Sequence, residues 1–303
     1  MENKNVEILI IGSGPAGLTA ALYAYRSNRQ LTVLEKATPG GKVNITNKIQ
    51  NWPSIKEISG PDLATMFVEQ AQALGINVGY GEVIAVKKTE QGFLVNTDDG
   101  DYMAKAVIVA SGTSEKKLGI PGEDKFVGRG VSYCATCDAA FYKGKEVAVI
   151  GNSSQAIEEA LALADVVAKV YVIDRHQELT ATPILVDRLK AKTNVEIRLG
   201  QTPYQIKGDK VVEALSLRGE QEYDLPIKAV FPFVGSIPNT SFIADKEALD
   251  KNGYLVCDAE MKTVVPGLFG AGDVIAKTLR QIVTAASDGA IAAGSASKFV
   301  RKK

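Results

Sequence analysis

The feature that most constrains the fold of this chain is a glycine-rich turn placed between a strand and a helix. Residues 6–11 form an apolar run typical of a buried parallel strand, and residues 12–17 then match the pattern G-x-G-x-x-G. A segment rich in alanine and leucine follows, and the next apolar run, at 31–34, ends at Glu35. This order predicts a βαβ unit that binds a dinucleotide, because the glycines let the backbone approach a pyrophosphate and the acid accepts ribose hydroxyls.

A second unit of the same kind begins at residue 146, but its turn is altered. The turn at 151–156 keeps its first glycine and its final alanine, whereas Ser153 stands where the second glycine is expected. The Cβ and hydroxyl of Ser153 obstruct the approach of a pyrophosphate. Asp174 ends the next strand and can bind a ribose 2′-hydroxyl, but it repels a 2′-phosphate. NADPH is therefore disfavoured by charge and by shape, and NADH by shape alone, so we expect this unit to serve as a scaffold or to hold a different ligand.

Two such units along one chain predict an α/β fold with two Rossmann-like, three-layer domains of the FAD/NAD(P)-binding kind. After residue 240 the sequence again carries motifs suited to the first unit, including Gly-Ala-Gly-Asp at 270–273. We therefore predict that the second domain is inserted into the first, with the first domain at 1–113 and 240–303 and the second at 114–239. Within them we expect a helix at 62–74, hairpin structure over 78–88 and 92–97, and buried strands at 106–110, 195–199 and 230–233.

The composition excludes several classes of protein. With 303 residues, 23% charged residues and a formal net charge of zero, the chain lacks the basic surplus of proteins that bind nucleic acid or anionic membranes. The first residues show no basic n-region or apolar signal core, and no run of about 18 apolar residues predicts a membrane span. We therefore expect a cytoplasmic protein. Three cysteines are too few, and odd in number, for a disulfide scaffold.

Cys134 and Cys137 form a Cys-x-x-Cys pair that is followed at once by Asp138. Such a pair stores two electrons as a dithiol or disulfide, and its thiolate attacks another disulfide in exchange. Asp138 is placed to exchange protons with a thiol. A metal site normally needs four ligands, and only Cys257 and the single histidine, His176, could add to the pair, so we predict no metal. The other structural alternative is a plain buried pair; Cys257 is expected to be a packed thiol and His176 a surface residue.

Together these motifs resemble those of the low-molecular-weight thioredoxin reductases, over essentially the whole chain. Besides the turn at 12–17 and the Cys-x-x-Cys-Asp motif, residues 40–41 and 51–53 resemble the flavin-side loop of that family, with Lys42 in place of its usual glutamine. Residues 270–273 resemble its second FAD motif, and 280–282 resemble the segment near the flavin ring. The resemblance implies non-covalent FAD, a homodimer, and a thioredoxin-like protein disulfide as the substrate. The FAD-binding residues that it implies are Gly12, Ser13, Gly14, Pro15, Ala16, Gly17, Glu35, Lys36, Gly41, Lys42, Asn51, Gly112, Gly272, Asp273, Arg280, Gln281 and Ile282.

The NADPH motifs of that family are not retained. Its second turn has become the altered turn at 151–156, and its His-Arg-Arg-x-x-x-Arg motif aligns with residues 174–180, where only Arg175 is kept. Because an arginine cluster is what would hold a 2′-phosphate, we do not expect NADPH. The pattern resembles the pyridine-nucleotide-independent branch, the ferredoxin-dependent flavin thioredoxin reductases. A related diflavin-linked branch also has an altered nucleotide domain, so a second flavin is left open.

The leading hypothesis is a flavoprotein oxidoreductase of the thioredoxin-disulfide reductase type, in which FAD reduces the pair Cys134–Cys137 and this dithiol reduces a thioredoxin-like protein. Reduced ferredoxin or a similar one-electron protein would be the donor, Cys137 would face the flavin, and Asp138 would act as acid and base. Three alternatives stay open: an NAD(P)H-dependent thioredoxin reductase, an oxidase that passes electrons from a small dithiol to oxygen, and a flavin-bearing redox sensor without enzymatic turnover.

Overall fold

The computed structural model describes residues 4–301, and within them the chain forms seven α-helices and sixteen strands. The helices are α1 (Pro15–Arg26), α2 (Gly60–Gln72), α3 (Glu123–Phe126), α4 (Ala135–Asp138), α5 (Ser154–Ala164), α6 (Pro183–Lys190) and α7 (Ile282–Arg301). The strands are β1 (Lys4–Ile11), β2 (Leu31–Glu35), β3 (Val78–Tyr80), β4 (Val83–Lys88), β5 (Phe93–Thr97), β6 (Tyr102–Val109), β7 (Thr113–Glu115), β8 (Glu146–Ile150), β9 (Lys169–Asp174), β10 (Val195–Leu199), β11 (Thr202–Lys207), β12 (Ala214–Arg218), β13 (Glu222–Pro226), β14 (Ala229–Pro232), β15 (Ser236–Pro238) and β16 (Leu268–Gly270).

The chain divides into two compact units, of which the first comprises Met1–Ser114 and Ile237–Lys303 and the second comprises Glu115–Ser236. The changes of unit fall after residues 114 and 236, where the sequence suggested 113 and 239. They lie in β7 and β15, which pair with each other as a two-stranded ribbon. Among residues 4–301, no helix combines the length and the apolar character needed to cross a membrane.

The first unit is built on a seven-stranded sheet in the order β3-β2-β1-β6-β5-β4, with β16 also paired to β6. Two strands pair with the same edge of β6. The first half of β6 pairs antiparallel with β5, and the second half pairs parallel with β16. β1 lies between the parallel strands β2 and β6, which explains the unbroken apolar run over residues 8–11 in its second half. Along β1, Ile8 and Ile10 face one hydrophobic core while Leu9 and Ile11 face the other.

Two helices rich in small residues cover one face of this sheet. The helices α1 and α7 approach so closely that a Cβ built on Gly289 would lie 2.1 Å from the carbonyl oxygen of Ala16. Buried alanines on both helices join Ile8 and Ile10 in one core. This packing fixes the first turn of α1, which follows the glycine-rich turn, against the C-terminal helix of the chain.

The second unit contains a four-stranded parallel sheet in the order β10-β9-β8-β14 and a three-stranded antiparallel sheet in the order β11-β12-β13. On one face of β8, Val147 and Val149 pack with the buried side of α5. On the other face, Ala148 and Ile150 pack with residues of β12 and β13. The unit is therefore layered, with α5 on one side of the parallel sheet and the antiparallel sheet on the other.

The predicted α/β fold with two Rossmann-like units is confirmed, and two predicted local elements are present with different bounds. The helix expected at 62–74 is α2 and begins earlier, because Ser59 caps it by accepting a hydrogen bond from the amide of Asp62 at 3.2 Å. Of the segments expected to have hairpin structure, β4 and β5 form an antiparallel pair, whereas β3 pairs in parallel with β2. A three-residue strand is too short for its sequence to indicate its direction.

Candidate functional site

The motifs predicted for FAD gather at one edge of the first unit's sheet. The strands β1, β2, β6 and β16 are parallel, so their carboxyl ends meet. Gly12 follows β1, Glu35 ends β2, Gly112 lies shortly after β6, and Gly272 and Asp273 follow β16. Ligands of open α/β sheets bind at this carboxyl edge.

The first glycine-rich turn has the backbone that a dinucleotide site needs. Gly12 has a φ of +99°, and a Cβ on it would lie 2.4 Å from the carbonyl oxygen of Ala110. A Cβ on Gly17 would lie 1.9 Å from the carbonyl oxygen of Gly12, so only glycine lets α1 pack here. Gly14 precedes α1, Pro15 begins it, and no side chain caps it. The first-turn amides of α1 are therefore available to an anionic pyrophosphate.

Glu35, the predicted acceptor of ribose hydroxyls, is held in place by hydrogen bonds from the glycine-rich turn. Its Oε2 accepts hydrogen bonds from both the amide and the hydroxyl of Ser13 at 2.9 Å, and its Oε1 accepts from the amide of Ala37 at 3.0 Å. A carboxylate has about four acceptor positions, so Glu35 can still accept a bond from a ribose hydroxyl. Lys36, also predicted at this site, extends to the surface, where its ammonium lies 3.2 Å from Glu82.

Asp273 offers a buried acceptor at the same edge. Within residues 4–301 its Oδ1 is buried without a hydrogen-bond donor, and Lys277 Nζ lies 4.0 Å away. Burial raises the pKa of the Asp273 carboxyl, and the charges of Lys277 and Lys42 oppose this. Arg280 donates to the main-chain oxygen of Asp273 at 3.3 Å and so fixes the turn. A hydroxyl-bearing ligand would supply the donor that Oδ1 needs, so these residues fit the ribityl chain of FAD.

An ion pair that the sequence analysis did not find supports this turn. Lys277 Nζ lies 2.6 Å from Asp288 Oδ2, and the amide of Gly272 donates to the same oxygen at 3.1 Å. Only 13% of the Lys277 side chain and 12% of the Asp288 side chain are exposed, and buried charges of this kind require a partner. The available signal was Asp288 itself, an acid among the small residues of α7, the helix that begins at Ile282.

The flavin-side loop predicted from the sequence also makes contacts within the first unit. Asn51 Nδ2 donates to Gln281 Oε1 at 2.8 Å, which joins this loop to the residue preceding α7. Lys42, which follows Gly41, places its ammonium 3.2 Å from the hydroxyl of Thr113. The structure therefore brings Asn51 together with Gln281, and it adds Thr113 as a partner of Lys42 that no sequence motif indicated.

In the second unit, Cys134 and Cys137 form a disulfide with their Cα atoms 5.3 Å apart. Cys137 is exposed and Cys134 is half-buried. Cys134 precedes the single-turn helix α4, and its Sγ accepts a hydrogen bond from the amide of Cys137 at 3.1 Å. Ser132 Oγ accepts from the amide of Cys134, also at 3.1 Å, and Asp138 ends α4. The redox pair thus lies at the start of α4 and the predicted acid/base at its end.

A second carboxyl beside the disulfide was missed by the sequence analysis. Burial raises the pKa of the Glu159 carboxyl on α5 to about 7, and the backbone of Ala135 and Thr136 lowers it in part. Its signal in the sequence was its place on the helix face that also carries Ala156 and Leu163, both fully buried. An acid on an apolar helix face is normally paired or functional.

The altered turn in the second unit keeps its tight bend, but a side chain now caps the N-terminus of the helix that follows. Gly151 has a φ of +140°, and a Cβ on it would lie 2.3 Å from the carbonyl oxygen of Phe233, as the first fingerprint position requires. Ser153 caps α5, with its Oγ 3.4 Å from the amide of Ala156. The corresponding helix α1 has no side-chain cap. Ser153 therefore obstructs the phosphate position through its hydroxyl, which occupies an amide, as well as through its bulk.

A neighbouring loop is also bonded onto this turn. The amide of Thr180 donates to the carbonyl oxygen of Asn152 at 2.9 Å, and Asn152 Nδ2 donates to the carbonyl oxygen of Glu178 at 3.1 Å. The amide of Thr182 donates to Ser154 Oγ at 3.0 Å. Side-chain and main-chain groups of the turn are thus engaged by the segment 178–182, which includes Thr180, the position of the last arginine of the NADPH motif.

Asp174, the acid predicted to meet a ribose, is buried and bound locally. Its Oδ1 accepts from the amide of His176 at 2.8 Å and lies 2.6 Å from His176 Nδ1. The imidazole itself is 58% exposed, which agrees with its expected surface position. Arg175 is exposed. This carboxylate oxygen already has two nitrogen partners from the chain itself.

The third cysteine, Cys257, belongs to the first unit. Burial raises the pKa of the Cys257 thiol to about 12, so it carries almost no thiolate near neutral pH. In the part of the chain that the structure describes, no group of three or more His, Cys, Asp and Glu side chains is arranged to hold a metal ion.

Comparison with known proteins gives a consistent family. The model of the family described as "Pyridine nucleotide-disulphide oxidoreductase" matches residues 6–289. A thioredoxin reductase of Listeria innocua is 39% identical over 99% of this chain and 96% of its own length. The crystal structure of Lactococcus lactis thioredoxin reductase (FR conformation) has a TM-score of 0.96 at 36% identity and covers 98% of this chain and 100% of its own. A ferredoxin-flavin thioredoxin reductase from Clostridium acetobutylicum has a TM-score of 0.56 at 31% identity and covers 100% of this chain and 99% of its own.

Proposed function

Because the chain belongs to the pyridine nucleotide-disulphide oxidoreductase family and its relatives include thioredoxin reductases, we propose that it is a flavin-dependent disulfide reductase acting on a thioredoxin-like protein. The finer proposal concerns the donor: electrons come from reduced ferredoxin or a similar one-electron protein and not from NADPH. As in the family that it resembles, we expect a cytoplasmic homodimer.

The first unit holds the flavin in this proposal. FAD, when bound, supplies a carrier that can be filled by one electron at a time and emptied by two. The first-turn amides of α1 would hold its pyrophosphate, Glu35 would accept from a ribose, and the buried Oδ1 of Asp273 would accept from the ribityl chain. The pair Lys277–Asp288 fixes the turn from which Asp273 extends.

The second unit carries out the exchange with the protein substrate. Two electrons and two protons convert the disulfide of Cys134 and Cys137 into two thiols. One of these, as a thiolate, then attacks a substrate disulfide and forms a mixed disulfide, and the other displaces the reduced substrate and closes the original bond. We assign Cys137 to the flavin side and Asp138 to proton exchange, as the resemblance implies. The position of Asp138 at the end of α4, one residue from Cys137, supports this assignment.

The observation that carries the donor proposal is the covering of the second turn. Ser153 caps α5, the segment 178–182 hydrogen-bonds to the turn, and Asp174 is engaged by His176. A 2′-phosphate requires cationic partners, and Arg175 alone is kept from the motif that would supply them. These residues do not fit NADPH, so no step of the proposed reaction passes through it.

A one-electron protein donor needs no nucleotide pocket. Two successive donations would fill the flavin, and the donor needs only to dock on the surface near it. The likeness to a protein named as a ferredoxin-flavin thioredoxin reductase supports this class of donor. The relatives of higher identity are named only as thioredoxin reductases, so the donor is decided by experiment.

The test compares three donors on one holoenzyme preparation under anaerobic conditions. NADPH, NADH and reduced ferredoxin are each mixed with the oxidised enzyme, and the loss of the oxidised flavin band and the appearance of thioredoxin thiols are followed. We expect rapid reduction by ferredoxin alone. Fast thioredoxin reduction with micromolar NADPH would refute the donor assignment, and fast flavin bleaching by NADH would replace it with an NADH-dependent enzyme. A variant with Cys134→Ser and Cys137→Ser is the control, since its flavin should be reduced while no thioredoxin thiols appear.

A further inference from the structure

A largely buried lysine lies between two carboxyl groups at the turn that is predicted to meet the ribityl chain of FAD. Lys277 Nζ lies 2.6 Å from Asp288 Oδ2 and 4.0 Å from Asp273 Oδ1. The second distance is too long for a hydrogen bond, but the two charges still attract each other across it. Lys277 therefore bonds to one carboxyl group and supplies only its charge to the other.

Residues of α7 and of the turn fix the position of this ammonium. Asp288 Oδ2 also accepts a hydrogen bond from the amide of Gly272 at 3.1 Å, so Lys277 and the turn share one carboxylate oxygen. The hydroxyl of Thr284, also on α7, lies 3.4 Å from Lys277 Nζ. The ammonium is thus held at its distance from Asp273 by groups other than Asp273 itself.

Asp273 has a carboxylate oxygen that depends on nearby charge. Its Oδ1 is buried and, within residues 4–301, no donor reaches it, so no hydrogen bond replaces the lost water. Arg280 donates instead to the main-chain oxygens of Asp273 and Ile275, at 3.3 and 3.2 Å. Burial raises the pKa of Asp273, and among the charges that oppose this Lys277 has the largest effect. About a third of the side chain, 33%, is exposed, so a ligand can reach the carboxyl group.

The ionisation state of Asp273 decides what it can offer to a ligand. An ionised carboxylate only accepts hydrogen bonds, whereas a protonated carboxyl carries a donor and has fewer acceptor positions. Hydrogen bonds from hydroxyls to a charged acceptor are also shorter and stronger than those to a neutral one. A polyhydroxyl chain therefore binds better when Asp273 is ionised.

We propose that Lys277 is a positioning residue for FAD: held by Asp288, it keeps Asp273 ionised and so able to accept from the hydroxyls of the ribityl chain. A purely structural ion pair would support the turn equally well whatever residue stands at position 273. Only the proposed role depends on the charge of Asp273, and this difference can be measured. The role rests on the proposed flavin site and not on the identity of the electron donor.

The test measures the affinity for FAD with the ion pair intact and neutralised. Lys277→Gln together with Asp288→Asn, called the neutral pair, keeps hydrogen-bonding groups at both positions and leaves no buried charge unpaired. It is compared with the intact pair in two backgrounds, the unmodified Asp273 and Asp273→Asn. Holoenzyme of each variant is diluted serially, and the FAD released at equilibrium is measured by its fluorescence, which gives the Kd.

Two further variants separate the effect of charge from that of shape and of net charge. Lys277→Arg keeps the positive charge beside Asp273. Lys105→Met is the matched control, because it removes a half-exposed lysine that is 3.7 Å from Glu7, on β6 of the same unit.

We expect the neutral pair to raise the Kd for FAD about fivefold to twentyfold when Asp273 is present, because groups of one ion-pair network couple to this extent. In the Asp273→Asn background the same change should alter the Kd less than about twofold, since no carboxylate charge remains to be stabilised. Lys277→Arg should stay within about threefold of the unmodified protein, and Lys105→Met within about twofold.

Equal factors in the two backgrounds would show a structural role and overturn the proposal, as would a loss with Lys277→Arg as large as that of the neutral pair. If the melting temperature shows that the neutral pair does not fold, Lys277→Gln alone is compared in the same two backgrounds. An unmodified protein that neither retains nor takes up FAD would overturn the proposed function itself, and the role of Lys277 with it.

Discussion

Replacing Glu159 by glutamine should make the stability of the oxidised second unit less dependent on pH. The pKa of this carboxyl is about 7 in the folded protein against an ordinary value of 4.5. A carboxyl with a raised pKa holds its proton more tightly in the folded state than in the unfolded one. The stability it provides is therefore complete below pH 4.5 and is lost as the pH rises to about 7.

The size of the effect follows from this displacement. The pKa difference between 4.5 and about 7 is roughly 2.5 pH units. At ~1.4 kcal/mol per unit, the free energy of unfolding changes by at most about 3 kcal/mol. Because part of the side chain reaches solvent, we expect 1–3 kcal/mol, as an order-of-magnitude figure. Glutamine places an amide nitrogen where the buried Oε2 was, which costs roughly 1–3 kcal/mol, but this cost is the same at every pH.

The assay is hydrogen exchange of the oxidised holoenzyme at pH 5 and pH 8, read on peptides that cover β8 and β9. Opening free energies of Glu159→Gln are compared with those of the unmodified protein at the same pH, so intrinsic exchange rates cancel. Between pH 5 and pH 8, the opening free energy of the variant should rise by about 1–3 kcal/mol relative to that of the unmodified protein. Glu220→Gln, at an exposed turn of the same unit, is the matched control. A difference between Glu159→Gln and the unmodified protein that is equal at the two pH values, within ~0.5 kcal/mol, would refute the reasoning.

Three further predictions concern the other sites. Asp273→Asn should weaken FAD binding about tenfold, because one carboxylate acceptor is lost and this costs roughly 1.4 kcal/mol. The affinity is measured by titrating the apoprotein with FAD and following fluorescence. An unchanged affinity would mean that Asp273 does not face the ligand. Ser153→Gly combined with Thr180→Arg should lower the Kd for NADPH at least tenfold, since a charge-assisted phosphate contact contributes roughly 1.5–3 kcal/mol. The Kd is measured by calorimetry. An equal Kd for the variant and the unmodified protein would show that Ser153 and the segment 178–182 do not prevent NADPH binding. In the reduced native enzyme, a thiol reagent such as DTNB should label Cys134 and Cys137 quickly and Cys257 only after denaturation, and rapid labelling of all three cysteines would argue against the burial of Cys257.

The fold was predictable from the sequence where short-range patterns determine it. The apolar run over residues 8–11 of β1 indicated a strand buried on both faces, and in the structure these residues alternate between two cores. The direction of β3 was not predictable, because three residues carry no pairing information. The start of α2 was missed by two residues although Ser59, its cap, was present in the sequence.

The candidate site was predictable where one segment forms it and not where distant segments meet. Glycine turns and the cysteine pair are local patterns, so they could be placed without a structure. Lys277 and Asp288 belong together only because α7 folds back beside the turn at Gly272. Glu159 and Ala135 are likewise 24 positions apart in the sequence, and no spacing rule links an acid of one helix to the backbone of another.

The ribbon formed by β7 and β15 has a consequence for how the chain is organised and made. Paired strands lie only about 4.8 Å apart, so the chain leaves the first unit and returns to it at nearly the same point. The segment from Glu115 to Ser236 therefore begins and ends at nearly the same point of the first unit. A short peptide could replace this segment without moving either end. During synthesis, β16 and α7 emerge after the second unit, so the second unit can finish folding while the sheet that carries the glycine-rich turn still lacks β16.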